Sequence, residues 1–213
     1  MATTIQDDLI VHGVLICESA NIANKNLDEF PRSSLIQEAL AVYPVDLTRL
    51  RVHDAFQTTL PGTSAADDLG LYGNTFGTTS PTLKTYDVKA LGALSIRARW
   101  IQELPVEYDD GQTVSIRVRG GMVTTIADVS CTVDIEAYKL DEDGAVGSDL
   151  CATAAQSMNS LTKANKDFTI TPTTLTRGDR LDVRVTVAVN DAATATAVIA
   201  ELSRIAILCD IKG

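Results

Sequence analysis

The chain has 213 residues, of which 45% are hydrophobic and 5% aromatic, and its formal net charge is −10. This length and apolar content exclude a chain that is disordered throughout, because there is enough hydrophobic surface to build a core. The acidic balance excludes sequence-independent nucleic-acid binding, which requires a positive surface facing the phosphates.

The first forty residues differ from the rest and predict an N-terminal arm, residues 1–40. Residues 9–16 (LIVHGVLI) form a short apolar strand or hairpin, and a polar spacer follows. Ser33 or Ser34 is placed to cap a short helix that Pro44 closes. Two interpretations stay open: the arm lies on another protein surface, or it folds back as an edge strand of its own domain. In the first, the contact residues are Leu9, Ile10, Val11, Val14 and Leu15.

Residues 41–213 predict one β-sandwich domain. Period-two alternation with β-branched side chains marks strands with one face on a core. Leu50 and Val52 open the series. The inward positions of the stronger strands are Leu94, Ile96, Ala98 and Trp100; Val114, Ile116 and Val118; Val129, Cys131, Val133, Ile135 and Ala137; Phe168 and Ile170; Leu181, Val183, Val185, Val187 and Val189; and Ile205, Ile207, Cys209 and Ile211.

The connecting segments are read from their turn residues. Arg177-Gly178-Asp179 predicts a tight corner of the sandwich in which Gly178 supplies a positive φ, and Asn190-Asp191 predicts another turn. The strand that begins at Val114 is predicted to end at Gly120-Gly121. Residues 60–83 exceed the usual loop length, so they are functional or contain a strand that the pattern does not reveal. Residues 147–164 predict a short helix, because Leu150, Ala154, Met158 and Leu161 fall at helical spacing.

Together these elements predict an all-β fold. It is an antiparallel β-sandwich, a jelly roll of about eight strands, with an extended N-terminal arm and one or two short helices.

Catalytic and cofactor motifs do not emerge from the sequence, so the prediction is a protein that is not an enzyme and has no cofactor. The two histidines, His12 and His53, stand about forty residues apart and outside any motif. Acidic turns such as Asp109-Asp110 lack the spacing of a calcium loop. The Arg177-Gly178-Asp179 tripeptide resembles an integrin ligand, but a turn before a strand explains it. No metal site is predicted.

A set of charged residues on the outward phase of the strands suggests two alternatives. They either form cross-strand ion pairs with acids such as Asp134 and Glu136, or they dock against another subunit, because arginine is enriched at interfaces. The candidate interface residues are Arg97, Arg99, Arg117, Arg119, Asp182 and Arg184.

A family resemblance rests on short motifs. The opening DDLIVHGVL resembles the start of many phage virion proteins, and the turns Gly111-Gln112-Thr113, Asp141-Glu142-Asp143-Gly144 and Thr176-Arg177-Gly178-Asp179 resemble jelly-roll structural proteins of tailed phages. The resemblance implies a capsid cement or decoration protein made in the host cytoplasm. It would sit on the outer surface of the virion head as a homotrimer bound to the major capsid protein. No nucleic-acid or membrane partner is expected.

Two rival functions remain. A tail-fibre or receptor-binding tip would share the jelly roll and recognise host glycans at its loops, and residues 60–83 favour it. A carbohydrate-binding module or accessory domain of a hydrolase is the second rival. The scarcity of exposed aromatic side chains counts against the first rival. The second is expected to carry a signal peptide and a neighbouring catalytic domain, and the sequence suggests neither.

Overall fold

The computed structural model describes residues 40–211 except residues 74, 142 and 195. The predicted arm, its five contact residues and the helix capped at Ser33 or Ser34 lie outside the described residues and stay predictions. The domain boundary at residues 40 and 41 also stays a prediction.

The described chain is an antiparallel β-sandwich of two sheets, which confirms the predicted fold class. Sheet A has the order β2-β3-β11-β5-β9, with β1 also paired to β11. Its strands are β1 (Ala41–Pro44), β2 (Gly70–Tyr72), β3 (Thr82–Lys84), β5 (Val114–Met122), β9 (Ala164–Ile170) and β11 (Ala200–Cys209).

Sheet B has the order β4-β10-β6-β7, with β8 also paired to β6. Its strands are β4 (Gly92–Glu103), β6 (Ser130–Leu140), β7 (Val146–Asp149), β8 (Gln156–Ser157) and β10 (Arg180–Asp191). A single 3-10 turn, Leu47–Arg49, is the one helical element of the described residues, and Asp46 caps it. No helix in the described part is long and apolar enough to span a membrane.

The core lies between the sheets and is built by the alternation that the sequence shows. All five inward residues of β10 are buried, and the inward residues of β4, β5 and β6 pack against them. Burying a side chain of this size contributes roughly 1.5–3 kcal/mol, so the long strands supply most of the stabilisation. Cys131 and Cys209 are fully buried in this core, as predicted.

The predicted corner joins the two sheets. It follows β9, which pairs with β5 in sheet A, and precedes β10, which belongs to sheet B. Gly178 has φ +78°, and Asp179 N donates to Thr176 O over 3.1 Å. The sequence prediction of a tight turn with a left-handed glycine is therefore confirmed.

Several local predictions are wrong. The segment predicted as a helix over residues 147–164 is extended: it contains β7, β8 and the start of β9. Its apolar residues belong to separate contacts, because Met158 is buried in the core while Leu161 is exposed. Val129, predicted to point inward, lies just before β6 and is 58% exposed.

Short strands were missed where the sequence offers too few residues to alternate. Residues 60–83 were predicted to be either a functional loop or a segment with an unrecognised strand. They contain β2 and the start of β3, so the second prediction is confirmed. β1 forms where the sequence predicted the close of a helix, and Pro44 is tolerated as the last residue of an edge strand. Arg51, between Leu50 and Val52, makes only isolated bridges to Thr59 and Arg99.

β5 continues past its predicted end at Gly120-Gly121. Both glycines are buried within the strand, which runs to Met122. A Cβ on Gly121 would lie 2.8 Å from Ser160 O and 3.2 Å from Lys163 Cα. The glycine therefore lets the loop before β9 pack directly on the strand instead of ending it.

Candidate functional site

The outer face of sheet B carries ordered rows of ion pairs. Arg99 Nε donates to Asp182 Oδ1 over 2.6 Å, and Nη2 donates to Asp182 Oδ2. Arg184 makes the same two-pronged contact with Glu136, at 2.6 and 2.7 Å. The hydrogen bonds from Arg99 to Asp182 raise the pKa of the guanidinium. The cross-strand ladder weighed from the sequence is therefore present, and each pair contributes up to about 1 kcal/mol.

One acid in these rows is not neutralised by an arginine opposite it. Asp134 faces Thr186 across the strands. Burial raises the pKa of Asp134, and the neighbouring Glu136 raises it further, against the lowering effect of the hydrogen bond from Ile135 N. The outer face of sheet B therefore presents arginines on β4 and β10 and the acidic residues Asp134 and Glu136 on β6.

The loop before β2 extends this face beyond the edge of β4. Arg97 Nη1 lies 3.6 Å from Asp67 Oδ2, and the Phe56 ring centroid lies 4.9 Å from Arg99 Cζ. The two ring nitrogens of His53 lie 3.3 Å from carboxylate oxygens of Asp67 and Asp68.

His53, Asp67 and Asp68 form the one cluster in the described residues whose spacing could hold a metal ion. The imidazole stands between the carboxylates, and each of its nitrogens lies 3.3 Å from a carboxylate oxygen. Arg97 also contacts Asp67. This arrangement suits a hydrogen-bonded link between loop and strand better than a metal site.

The structure divides the six predicted interface residues between two faces. Arg97, Arg99, Asp182 and Arg184 share the outer face of sheet B, whereas Arg117 and Arg119 lie on β5, on the outer face of sheet A. Arg117 pairs with Asp167 at 2.6 and 2.7 Å. Arg119 stands opposite Arg204 on β11. One flat contact surface cannot include all six, and whether either face meets another subunit stays a prediction.

A buried carboxylate organises one end of the sandwich, where the loops 85–91, 123–129, 158–163 and 192–199 meet; we call this the Asp191 end. Asp191 is 1% exposed, and its oxygens accept hydrogen bonds from Asp128 N at 2.9 Å and Ala90 N at 3.2 Å. Asp128 Oδ1 in turn accepts from Ala192 N at 2.9 Å. The turn predicted at Asn190-Asp191 is thus wrong: β10 runs to Asp191, whose side chain turns inward.

The outer surface of the Asp191 end carries exposed apolar side chains beside one exposed ion pair, in which Lys89 Nζ lies 3.1 Å from Asp87 Oδ2. The carboxylates of the Asp191 end accept hydrogen bonds from backbone amides. One of them is Asp87, which accepts from Val198 N at 3.0 Å, and this bond lowers the pKa of Asp87. Five large apolar side chains are left exposed, by 38% to 58% each: Leu91, Val123, Ile126, Val129 and Leu161. Sequence reasoning missed this surface, because it is assembled from loops that are distant in the sequence.

Comparisons with known proteins identify no family. No family model matches the chain, and no curated protein matches it. Among solved structures, a xylan-binding module, CBM15, aligns with 18% identity and a TM-score of 0.41, covering 82% of this chain and 99% of the module.

Two further structures illustrate the range of similar proteins. The CBM22-1 xylan-binding domain from Paenibacillus barcinonensis Xyn10C has 11% identity and a TM-score of 0.37, over 68% of this chain and 82% of that one. The enzymatically active domain of bacteriophage CBA120 tailspike protein 4 has 12% identity and a TM-score of 0.36, over 76% of this chain and 20% of that one. At these identities and scores the similarities assign neither a family nor a function.

Proposed function

We propose that this protein is a non-catalytic structural protein of a virion, which attaches to the outer surface of the head by binding the major capsid protein. The observation that supports the proposal is the exposed apolar surface of the Asp191 end on a chain of net charge −10. Clustered exposed apolar side chains mark contact surfaces in soluble proteins.

The chemistry of this surface favours a protein partner. Interface centres are depleted in charge, and here Asp87, Asp128 and Asp191 are bonded to backbone amides within the end itself. The loops are also cross-linked, since Ala127 N donates to Asn159 Oδ1 at 2.8 Å and Thr124 Oγ1 donates to Ala197 O at 2.5 Å. A surface already held in place loses little conformational entropy on binding. The capsid partner, the homotrimer and attachment through residues 9–16 are parts of this proposal.

Co-sedimentation with heads of the encoding virus that lack the protein tests the attachment. We expect saturable binding, and we expect Ile126→Asp, Val129→Asp and Leu161→Asp each to weaken it at least about tenfold, because a charge enters an apolar contact. Val146→Asp is the matched control: Val146 is 56% exposed against 58% for Val129, but it lies at the other end of the sandwich.

Two other results would change the proposal. Binding that all three variants leave unchanged would contradict the role of the Asp191 end. Light scattering of the free protein gives the oligomeric state. A trimer that the same variants dissociate would assign the surface to contacts between copies and not to the capsid.

The glycan-binding alternative has one observation in its favour. The outer face of sheet B offers a fixed set of charged hydrogen-bonding groups beside two partly exposed rings, Phe56 and Tyr138. Glycan-array binding that is lost in Phe56→Ala, together with unchanged behaviour of Val129→Asp, would favour the receptor-binding tip over the cement protein.

A further inference from the structure

A group of basic side chains lies on the outer face of sheet A, and we call it the basic cluster: Lys84 on β3, Arg119 on β5, Arg204 on β11 and Lys163 in the loop before β9. Glu201 on β11 is the acid among them, and it is 6% exposed. Lys84 Nζ lies 3.0 Å from one of its oxygens, and Lys163 Nζ contacts the other. Four positive groups thus share one negative group.

The two arginines of the cluster are the unusual feature. Arg119 and Arg204 are exposed and stand directly opposite each other on neighbouring strands, where like charges destabilise a sheet. Asn165, the neighbour of Arg119 on β9, is uncharged. Neither guanidinium has an ion pair with another described residue, although the chain has 28 acidic residues. The other arginines in the interiors of strands each contact a carboxylate: Arg97, Arg99, Arg117 and Arg184.

A bulge in β11 produces this arrangement. The register between β5 and β11 shifts between Leu202 and Arg204. Leu202 and Ile205 are both buried in the core, so Ser203 and Arg204 fit between two inward positions. Regular alternation from Leu202 would turn Arg204 inward, and the extra residue keeps it outward, opposite Arg119. Bulges re-aim side chains in this way beside functional sites.

The lysines lie close enough to act with the arginines. Burial lowers the pKa of Lys163, and the charges of Lys84 and Arg119 lower it further. The positive groups therefore repel one another within one small region of the sheet. An anion bound among them would relieve this repulsion, because an opposite charge favours the protonated form of each group.

The charge of the cluster indicates the kind of anion. Arginine side chains recognise carboxylate and phosphate groups through paired N–H···O hydrogen bonds. A carboxylate carries one negative charge, whereas a phosphate group carries about −1.5 to −2 at pH 7 and offers three strong acceptor oxygens. The excess of positive groups over Glu201 favours the phosphate. A long polyanion is disfavoured, because the chain as a whole has a net charge of −10.

We propose that the basic cluster binds a phosphate group, with Arg119 and Arg204 donating hydrogen bonds to its oxygens and with Lys84 and Lys163 adding positive charge. Free phosphate and a phosphate ester of a sugar present the same chemistry, and the experiment distinguishes them. The proposal does not rest on capsid attachment, because binding is measured on the free protein in solution.

The full chain is titrated with inorganic phosphate, glucose 6-phosphate, glucose and acetate at one ionic strength, and the Nε–H signals of the arginines are followed by NMR. We expect both phosphates to shift the signals of Arg119 and Arg204 saturably, with a Kd on the order of 1–10 mM, and glucose to leave them unchanged. Similar Kd values for the two phosphates would support recognition of the phosphate group alone. Tighter binding of glucose 6-phosphate would support a sugar phosphate as the ligand.

Variants separate this site from general charge effects. Arg119→Gln and Arg204→Gln should each weaken phosphate binding at least about fivefold. Arg117→Gln is the matched control on the same face of β5: its guanidinium already pairs with Asp167, so the Kd should not change. Without phosphate, the first two variants should have a Tm no lower than that of the unmodified protein, because each removes a like-charge pair.

Three results would overturn the proposal. The first is no saturable shift with either phosphate. The second is acetate binding as tight as that of phosphate, which would mean that the cluster takes a carboxylate. The third is phosphate binding that Arg119→Gln and Arg204→Gln both leave intact.

Discussion

The loops at the two ends of the sandwich are held together by different kinds of contact. At the Asp191 end, loops are joined by a carboxylate that is buried and bonded to two backbone amides. At the other end, which we call the corner end, the loops 104–113 and 171–179 are joined by backbone hydrogen bonds, such as Leu104 N to Asp179 O at 2.9 Å. An exposed contact adds to them: Arg177 bonds Asp110 through its backbone N at 2.8 Å and its guanidinium at 3.1 Å. Lys139 Nζ also lies 2.7 Å from Asp179, in a half-buried pair.

The two kinds of contact differ in how much charge they leave on the surface of the loops. Exposed ion pairs leave a hydrated, charged surface, whereas a carboxylate that is itself buried against backbone amides adds no charge to the outside of the loops. Under the proposed function, the Asp191 end is the one that a partner covers, and the corner end remains in water. This contrast can be tested through stability, where the same type of change should have very different effects at the two ends.

The largest effect is expected for Asp191→Ala. It removes the buried carboxylate that accepts from Ala90 N and Asp128 N, so the free energy of unfolding should fall by about 3 kcal/mol. Urea denaturation measures the change. Asp128→Ala is the control at the same end: its carboxylate accepts from Ala192 N but is exposed, and the loss should stay below about 1 kcal/mol. Equal losses in the two variants would contradict the special role of burial.

A smaller effect is expected for Gly178→Ala at the corner end. The residue has φ +78°, where a side chain destabilises the backbone by about 1 kcal/mol, while nothing lies within 4 Å of its Cβ position. Gly147→Ala is the control, because it has equally open space and no positive φ. Thermal unfolding of both variants should show a lower Tm for Gly178→Ala alone.

The smallest effect is expected for Arg177→Ala. The guanidinium that pairs with Asp110 is exposed to solvent, so water and salt already screen the interaction. The Tm should change by less than about 1 °C, and by less still at high salt. A large drop in Tm at low salt that disappears at high salt would mean that this ion pair holds the corner end together.

The sequence predicts the long strands well because burial on one face imposes period-two alternation on many residues. β4, β5, β6, β9 and β10 all appear at their predicted places, and the corner at Gly178 follows from a local requirement for positive φ. Strands of two to four residues, such as β8 and β2, cannot show a period. The helix predicted over residues 147–164 arose from apolar residues that happen to fall at helical spacing.

The site features are less predictable because their partners are distant in the sequence. Asp191 bonds Ala90, which lies 101 residues earlier, so a local reading of Asn190-Asp191 could only suggest a turn. The charged residues were identified correctly as outward, but their division between the faces depends on β5 joining sheet A and not sheet B.

The pairing of β1 with β11 has a consequence for how the protein is made. Ala41 lies opposite Cys209, and β11 stands in the middle of sheet A, between β3 and β5. During synthesis the strands β1, β3 and β5 leave the ribosome without the neighbour that joins them, at about 5–20 residues per second. The complete sheet A can therefore form only after β11 has emerged, although β2 can pair with β3, and β5 with β9, before then. The strand edges that later pair with β11 need protection from wrong pairing for several seconds.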